Sequence, residues 1–414
     1  MKFYDYSISD PIKHNLNLLG FKRPTDIQFK SIPPILRGED VLAIAQTGTG
    51  KTAAFAIPVI DQIHRSKSSN RSSGIQCIVM VPTRELAMQI GEVFCSIEKG
   101  THTKTFAVYG GVEQDVQIKR LQDGIDILIA TPGRMFDLIS QQVIRLTNVN
   151  TLILDEAVHM LDLGFIHDIQ SIKKLLPQKH QTLFFSATIN KTIKKLAYSQ
   201  VKSSAIRIQI SPDDPVSRNV SHFVLFVEMD DKRFFLEDFI RNHPESKILV
   251  FVRTRVRAER VAAAMARVEI ESYAIHGEKD QKDRSTIMDR FKKGAFQLMI
   301  ATDVSARGID IPDVDFVINY DLPDKAENYV HRVGRTGRGV KKGVALSYCS
   351  SEEKEKLEGI QSFINKPIEV VEISRQDYAE LIKPPTDQTD WQSLIETQQD
   401  WENSKKKKKR SGKK

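Results

Sequence analysis

The densest chemistry in this sequence lies at Ala45-Gln46-Thr47-Gly48-Thr49-Gly50-Lys51-Thr52. An apolar run at 41–45 precedes it and reads as a buried strand. The segment 53–63 follows and reads as a helix. Glycines between a strand and a helix N-terminus let main-chain N–H groups approach phosphate oxygens, and the helix dipole adds positive potential. In such a cradle Lys51 reaches the β- and γ-phosphates of a nucleoside triphosphate, and the Thr52 hydroxyl holds Mg2+. Ala45 stands where the general pattern has glycine, so the strand-then-helix context carries the assignment. A second cluster, Leu152-Ile153-Leu154-Asp155-Glu156-Ala157, ends another apolar run with two carboxylates. Open α/β sheets bind ligands at the carboxyl ends of their strands. There Asp155 can hold Mg2+, and Glu156 can orient or deprotonate a water.

Both clusters need a sheet to hold them. Apolar runs at 75–81, 105–109, 125–130, 151–154 and 182–185 read as buried strands, with helical patterns between them at 85–97, 113–121, 133–140 and 165–176. Pro24 pre-sets a turn before a further helix, which Thr25 or Asp26 can cap. Residues 211–217, with two prolines and no apolar periodicity, read as a linker. The alternation then restarts, with strands at 222–227, 247–252, 272–275, 298–301, 316–319 and 344–348. Helices are predicted at 232–242, 255–266, 280–291, 326–333 and 352–364. Such alternation predicts two α/β domains, each a mostly parallel sheet covered on both faces. The expected boundaries are 1–210 for the first domain, 211–219 for the linker, 220–374 for the second domain and 375–414 for a polar, disordered tail.

Composition bounds the partners. The chain has 414 residues and a formal net charge of +8. Its last ten residues hold seven Lys, one Arg and no acid, so the body carries no net charge. A nucleic-acid site on the body must then be a local patch, with the tail as a nonspecific, salt-sensitive tether. No run of 18 apolar residues suggests a membrane span, and the N-terminus does not read as a signal peptide. Three scattered cysteines imply neither a disulfide framework nor a metal site, which fits a reducing cytoplasm.

Further short motifs occur in a fixed order. They are Phe21 with Pro24-Thr25 and Gln28; Pro82-Thr83-Arg84-Glu85-Leu86; Gly110-Gly111; Thr131-Pro132-Gly133-Arg134; and Ser186-Ala187-Thr188. In the second half come Phe251-Val252-Arg253-Thr254; Gln281 with Arg284; Ala301-Thr302-Asp303 through Arg307-Gly308-Ile309-Asp310; and His331-Arg332-Val333-Gly334-Arg335-Thr336-Gly337-Arg338. With the two clusters above, this set resembles the DEAD-box superfamily 2 RNA helicases, most closely the bacterial RhlE-like group, over roughly residues 1 to 370. Ala45 is usual in that family.

The resemblance implies two tandem RecA-like domains that close on ATP, Mg2+ and RNA. It implies that Phe21 stacks on adenine and Gln28 bonds its edge. Gln46, Thr47, Gly48, Thr49, Gly50, Lys51 and Thr52 would cradle the phosphates, and Asp310 would approach the ribose. Thr52 and Asp155 would hold Mg2+, Glu156 would activate water, and Arg335 and Arg338 would act as arginine fingers, their planar forks suited to a transferring phosphoryl group. RNA would meet Pro82, Thr83, Arg84, Gly110, Gly111, Thr131, Gly133 and Arg134 in the first domain, and Arg253, Thr254, Arg284, Thr302 and Asp303 in the second. Backbone and 2′-OH contacts would make binding sequence-tolerant and RNA-preferring. Ribosome-assembly or RNA-decay proteins are the expected class of partner.

The family motif that begins Asp155-Glu156-Ala157 ends in Asp, and here it ends in Val158, followed by His159 where Arg is frequent. In relatives that Asp links Ser186, Thr188 and His331. Its loss leaves Mg2+ binding and water activation in place and puts the coupling of hydrolysis to lobe closure in question. Two functions therefore stand side by side: an ATP-dependent RNA helicase, and an ATP-gated RNA clamp that hydrolyses weakly and unwinds nothing. A DNA translocase is a third, which the RNA-type motifs disfavour.

Overall fold

The computed structural model describes residues 2–45, 48–67, 74–186, 191–210, 219–303, 314–337 and 341–382. The first half builds one seven-stranded sheet. Its strands are β1 (Val41–Ala45), β2 (Cys77–Met80), β3 (Thr105–Val108), β4 (Ile127–Ala130), β5 (Thr151–Leu154), β6 (Gln181–Ser186) and β7 (Ile206–Ile210). They lie in the order β3-β4-β2-β5-β6-β1-β7, and all pairings are parallel. The helices are α1 (Asp10–Leu18), α2 (Asp26–Leu36), α3 (Lys51–Ser66), α4 (Arg84–Ile97), α5 (Gln114–Gln122), α6 (Pro132–Ser140), α7 (Ala157–Asp162), α8 (Ile166–Leu175) and α9 (Lys191–Gln200).

Burial on both faces explains the unbroken apolar runs. Val41, Ala43 and Ala45 enter one core with α1 to α4, while Leu42 and Ile44 enter the other with α6 to α9. Each buried aliphatic side chain contributes about 1.5–3 kcal/mol, so a one-residue slip of β1 would exchange the contents of both cores. Parallel strands cannot join directly. Every crossover therefore brings the chain back through a helix and leaves its loops at the carboxyl ends of the strands.

The second half repeats the plan with β8 (Val220–Phe226), β9 (Ile248–Val252), β10 (Ser272–Ile275), β11 (Leu298–Thr302), β12 (Phe316–Asn319), β13 (Gly343–Cys349) and β14 (Glu369–Val370). Their order is β10-β11-β9-β12-β13-β8-β14, again parallel. Its helices are α10 (Lys232–Arg241), α11 (Arg255–Arg267), α12 (Gln281–Lys292), α13 (Ala326–Val333) and α14 (Lys354–Ile364). A buried charge cluster holds its centre. Lys232 is fully buried and donates to Tyr320 O (2.7 Å), Tyr348 O (3.2 Å) and the Glu353 carboxylate. It thereby ties the ends of β12 and β13 to the start of α14.

Residues up to Val371 pack as one unit and those from Glu372 as another. Strands β1, β5, β10 and β12 and helix α13 match the expected bounds residue for residue; most other elements shift by one or two. The tail expected to lack structure from residue 375 carries a short helix, α15 (Arg375–Leu381), capped by Ser374, whose hydroxyl accepts from Asp377 N (3.1 Å). Residues 383–414 and the linker at 211–217 lie outside the described residues. Among the described residues no helix is long and apolar enough to cross a membrane.

Candidate functional site

β1 delivers the chain into a turn that only glycine tolerates. Gly48 and Gly50 have φ of 80° and 90°, the left-handed region, and a Cβ on Gly50 would overlap the Gln28 amide. Gln28 closes this turn from outside. It is buried; its Oε1 accepts from Thr25 N (2.9 Å) and its Nε2 donates to Gly50 O (3.2 Å), while Thr25 Oγ1 donates to Thr49 O (2.7 Å). Both ends of the amide are therefore engaged by the start of α2 and the phosphate turn. Phe21 is half-buried beside them, edge-on to Phe3 with ring centroids 5.8 Å apart. Gln46 and Thr47 lie outside the described residues.

Lys51 opens α3 and is buried, its Nζ donating to Glu156 Oε1 at 2.8 Å. Glu156 follows β5 with φ of 52°, a left-handed conformation rare outside glycine, and its N–H donates to Asp155 Oδ1 (3.0 Å). Burial pushes the Asp155 pKa up; Lys51 opposes this and the Glu156 charge adds to it. Burial also acts to raise Glu156, but Lys51 and then His331, with a smaller contribution from His159, bring it below the usual carboxylate range. Two buried carboxylates thus share one lysine, and Asp155 is short of positive charge. A hard cation with oxygen ligands meets that shortfall, and Mg2+ is held by one or two carboxylates together with phosphates. No cluster of three or more His, Cys, Asp or Glu that could hold a metal unaided occurs among the described residues. Thr52 follows Lys51 in the first turn of α3. The residues present therefore fit Mg2+ shared with a triphosphate.

The residues expected on RNA gather at loops after β2, β3 and β4. Thr83 caps α4, its hydroxyl accepting from Leu86 N (3.3 Å). The Arg84 guanidinium lies against Gly110 and Gly111, where a Cβ on Gly111 would overlap it. Thr131 is the N-cap of α6, followed by Pro132 and Gly133. Arg134 braces the same loop, donating to Gln117 Oε1 (2.9 Å) and Val112 O (3.2 Å).

In the second lobe Thr254 caps α11, accepting from Arg257 N (3.2 Å). Arg253 is spent largely inside its own lobe, pairing with Glu353 (3.1 Å) and donating its main-chain N–H to Asp321 Oδ2 (3.0 Å). Thr302 ends β11. Asp303 is gripped by the fully buried Arg332, with Nε–Oδ1 2.6 Å and Nη2–Oδ2 2.8 Å. Arg335 is buried, its Nε donating to His331 O (3.3 Å). Ser186 is buried at the end of β6. Thr188, Asp310 and Arg338 lie outside the described residues.

Among the described residues two ion pairs join the lobes directly: Arg284 Nη2 to Glu85 Oε1 (2.7 Å), nearly buried, and Lys325 Nζ to Asp162 Oδ1 (2.7 Å), more exposed. Sequence reasoning singled out neither pair, nor Arg332 as the holder of Asp303. Helical and strand periodicity carry no record of a partner a hundred residues away. The one signal was that Arg332 is followed closely by Arg335 and Arg338, just past the end of its helix.

Residues 25–196 match the DEAD/DEAH box helicase family, and residues 231–340 match the helicase conserved C-terminal domain. The chain is 39% identical over 359 residues to the DEAD-box ATP-dependent RNA helicase CshA of Bacillus subtilis, covering 87% of this chain and 72% of that protein. It is 37% identical to the DEAD-box ATP-dependent RNA helicase RhpA of Helicobacter pylori, covering 92% and 76%. Among solved structures it is similar to S. cerevisiae Dbp5 bound to RNA and ADP BeF3, with TM-score 0.82 and 27% identity over 92% of this chain and 97% of that one.

Proposed function

The chain belongs to the DEAD/DEAH box helicase family, and from that premise we propose that it is an ATP-dependent RNA helicase that uses ATP hydrolysis to separate short RNA duplexes or remodel RNA–protein contacts. The observation that carries the chemistry is the buried Lys51–Glu156 contact beside Asp155, at the carboxyl ends of the strands. Bound Mg·ATP supplies the scissile phosphoanhydride. The Gly48–Gly50 turn and the α3 N-terminus direct N–H groups at phosphate oxygens. Lys51 neutralises charge, Thr52 and Asp155 would hold Mg2+, which would supply Lewis-acid charge to the phosphates, and the ionised Glu156 orients a water and takes its proton. Arg335 and Arg338 stabilise charge on the transferring group. Phe21 and Gln28 favour adenine, and Asp310 the ribose.

The RNA track runs over Pro82, Thr83, Arg84, Gly110, Gly111, Thr131, Gly133 and Arg134, then Arg253, Thr254, Arg284, Thr302 and Asp303. Because Arg253 and Asp303 are held by Glu353 and Arg332, we assign these two to shaping the track, with main-chain groups meeting the phosphates. The two parallel sheets support domains at 1–210 and 220–374, a linker at 211–219 and a tail from 375. Cytoplasmic location and RNA-processing partners accord with the family. The narrower RhlE-like placement rests on the motifs alone, since the relatives bear the names CshA and RhpA.

Val158 favours the second reading, the weakly hydrolysing clamp. It is buried in the apolar cluster with Ala157, Met160 and Phe184 and offers no hydrogen bond across the lobes. One preparation tests both readings through ATP hydrolysis with and without RNA, beside strand displacement on RNA and DNA duplexes. RNA-stimulated hydrolysis with RNA unwinding supports the helicase. RNA binding with ATP but no displacement supports the clamp, and preference for DNA duplexes rejects both.

A further inference from the structure

We propose that Asp162 and Lys325 form a positioning tie that registers the helix starting at Glu156 against the helix ending at His331, a step that rests on the helicase reading above. α7 has Glu156 as its N-cap and Asp162 as its last residue. α13 has Lys325 as its N-cap and His331 and Arg332 in its last turn. Lys325 Nζ donates to Asp162 Oδ1 at 2.7 Å, joining the end of one helix to the start of the other. The two helices, about 9 and 12 Å long at 1.5 Å per residue, therefore meet at this pair, the end of α7 against the start of α13. Ala157 and Val158, at the start of α7, are buried in the apolar core of the first lobe.

The placement of these two charges is unusual. An acid at a helix C-terminus and a lysine at a helix N-terminus each oppose the local dipole. Within its own lobe each is therefore at a disadvantage. When the lobes meet, the Asp162 carboxylate lies at the positive end of α13 and Lys325 at the negative end of α7, so one contact relieves both. The neighbouring acid does not compete, because Asp324 is paired with Lys356 and lies near Arg253. Lys325 is 60% exposed, unlike the nearly buried Arg284–Glu85 pair, so its tie is weak and salt-responsive. Its effect falls on closure, and through closure on the registry of Glu156 with His331 and Arg335.

The test uses the full chain and a single-stranded oligouridine RNA. Lys325→Glu or Asp162→Lys alone should raise the RNA concentration for half-maximal ATPase about three- to ten-fold at low salt, with a smaller change in the plateau. The double reversal Asp162→Lys/Lys325→Glu should return it to within about two-fold of the unmodified protein. Single reversals indistinguishable from the unmodified protein, or a double reversal no better than the worse single, overturn the tie. Should a reversal fail to fold, Lys325→Ala and Asp162→Asn decide it: both should flatten the salt dependence of half-saturation, and an unchanged salt dependence overturns the tie. An unmodified protein whose ATPase ignores RNA counts against the helicase reading instead. Energy transfer between one dye on each lobe, in ATP and RNA, then reports closure directly, with the same rescue expected and its absence overturning the tie.

Discussion

Asp155 is buried beside the nearly buried Glu156, whose carboxylate pairs with Lys51. Its pKa is raised in the folded chain, so its contribution to stability is full below the ordinary carboxylate pKa and is lost as pH rises through the raised value. Asp155→Asn, which removes the ionisable group and keeps the shape, should therefore raise the melting temperature of the nucleotide-free protein at about pH 8, and by a smaller amount at about pH 5. The same variant should abolish the extra stabilisation by ATP that requires Mg2+. A thermal melt series with and without Mg·ATP checks both, and a nucleotide-free melting temperature lower than the unmodified protein's at about pH 8 would count against the assignment. Gln28 offers a second test. Its amide holds both Thr25 and Gly50, so Gln28→Ala should weaken ATP binding by about 1–3 kcal/mol. If the amide also reads the base, ATP should lose more than GTP in a fluorescent-nucleotide competition. Equal losses would confine Gln28 to shaping the turn.

At the scale of elements, α7 carries the two positions at which the sequence analysis expects a departure from the family motif, Val158 and His159, both buried in its first turn. Val158→Asp would place a carboxylate in an apolar cluster, costing about 1–3 kcal/mol of stability. On the coupling proposed above it would also supply an acceptor for Ser186 and His331, and a hydrogen bond to a charged group contributes about 1.5–3 kcal/mol. RNA stimulation of hydrolysis should therefore rise about ten-fold or more while the melting temperature falls. If stimulation matches that of the unmodified protein, position 158 does not govern coupling. Strands such as β5 and β12 were legible because burial on both faces makes them continuous apolar runs. The start of α2 was legible because Thr25 follows Pro24 and can cap it, whereas Thr83 and Thr254, expected on RNA, also cap α4 and α11. β7 was not legible, although Ile206, Ile208 and Ile210 alternate in it, because an edge strand with one exposed face has a weaker apolar signal. α7 was not legible because six residues make less than two turns, too few for a period. The phosphate turn and the Asp155–Glu156 pair were legible because backbone chemistry constrains their residue types. The Arg332–Asp303 grip and the Lys232 cluster were not, because only the fold brings those groups together.

For the whole molecule, charge separates body from tail. Deleting residues 405–414 removes eight positive charges. RNA affinity should fall and its dependence on salt should flatten, because each phosphate neutralised on a single strand contributes about 0.7 to the logarithmic slope. RNA-free ATP hydrolysis should persist. Affinity unchanged across a salt titration would deny the tail any role as a tether. The sheet order carries a different consequence, for synthesis. β1 bears the phosphate turn, yet its neighbours are β6 and β7: Val41 lies opposite Leu183 on one side and Ile206 on the other. Contacts this distant in sequence close slowly and late. The earliest catalytic element to leave the ribosome must therefore wait, unpaired, for almost the entire first lobe to be translated. Nascent chains arrested before residue 206 should gain no protease resistance from Mg·ATP, whereas chains arrested far enough on for residue 210 to have emerged should gain it in one step. Over that interval β1 and the helix after it are apolar segments without partners, the window in which this chain is most exposed to aggregation and most dependent on a chaperone.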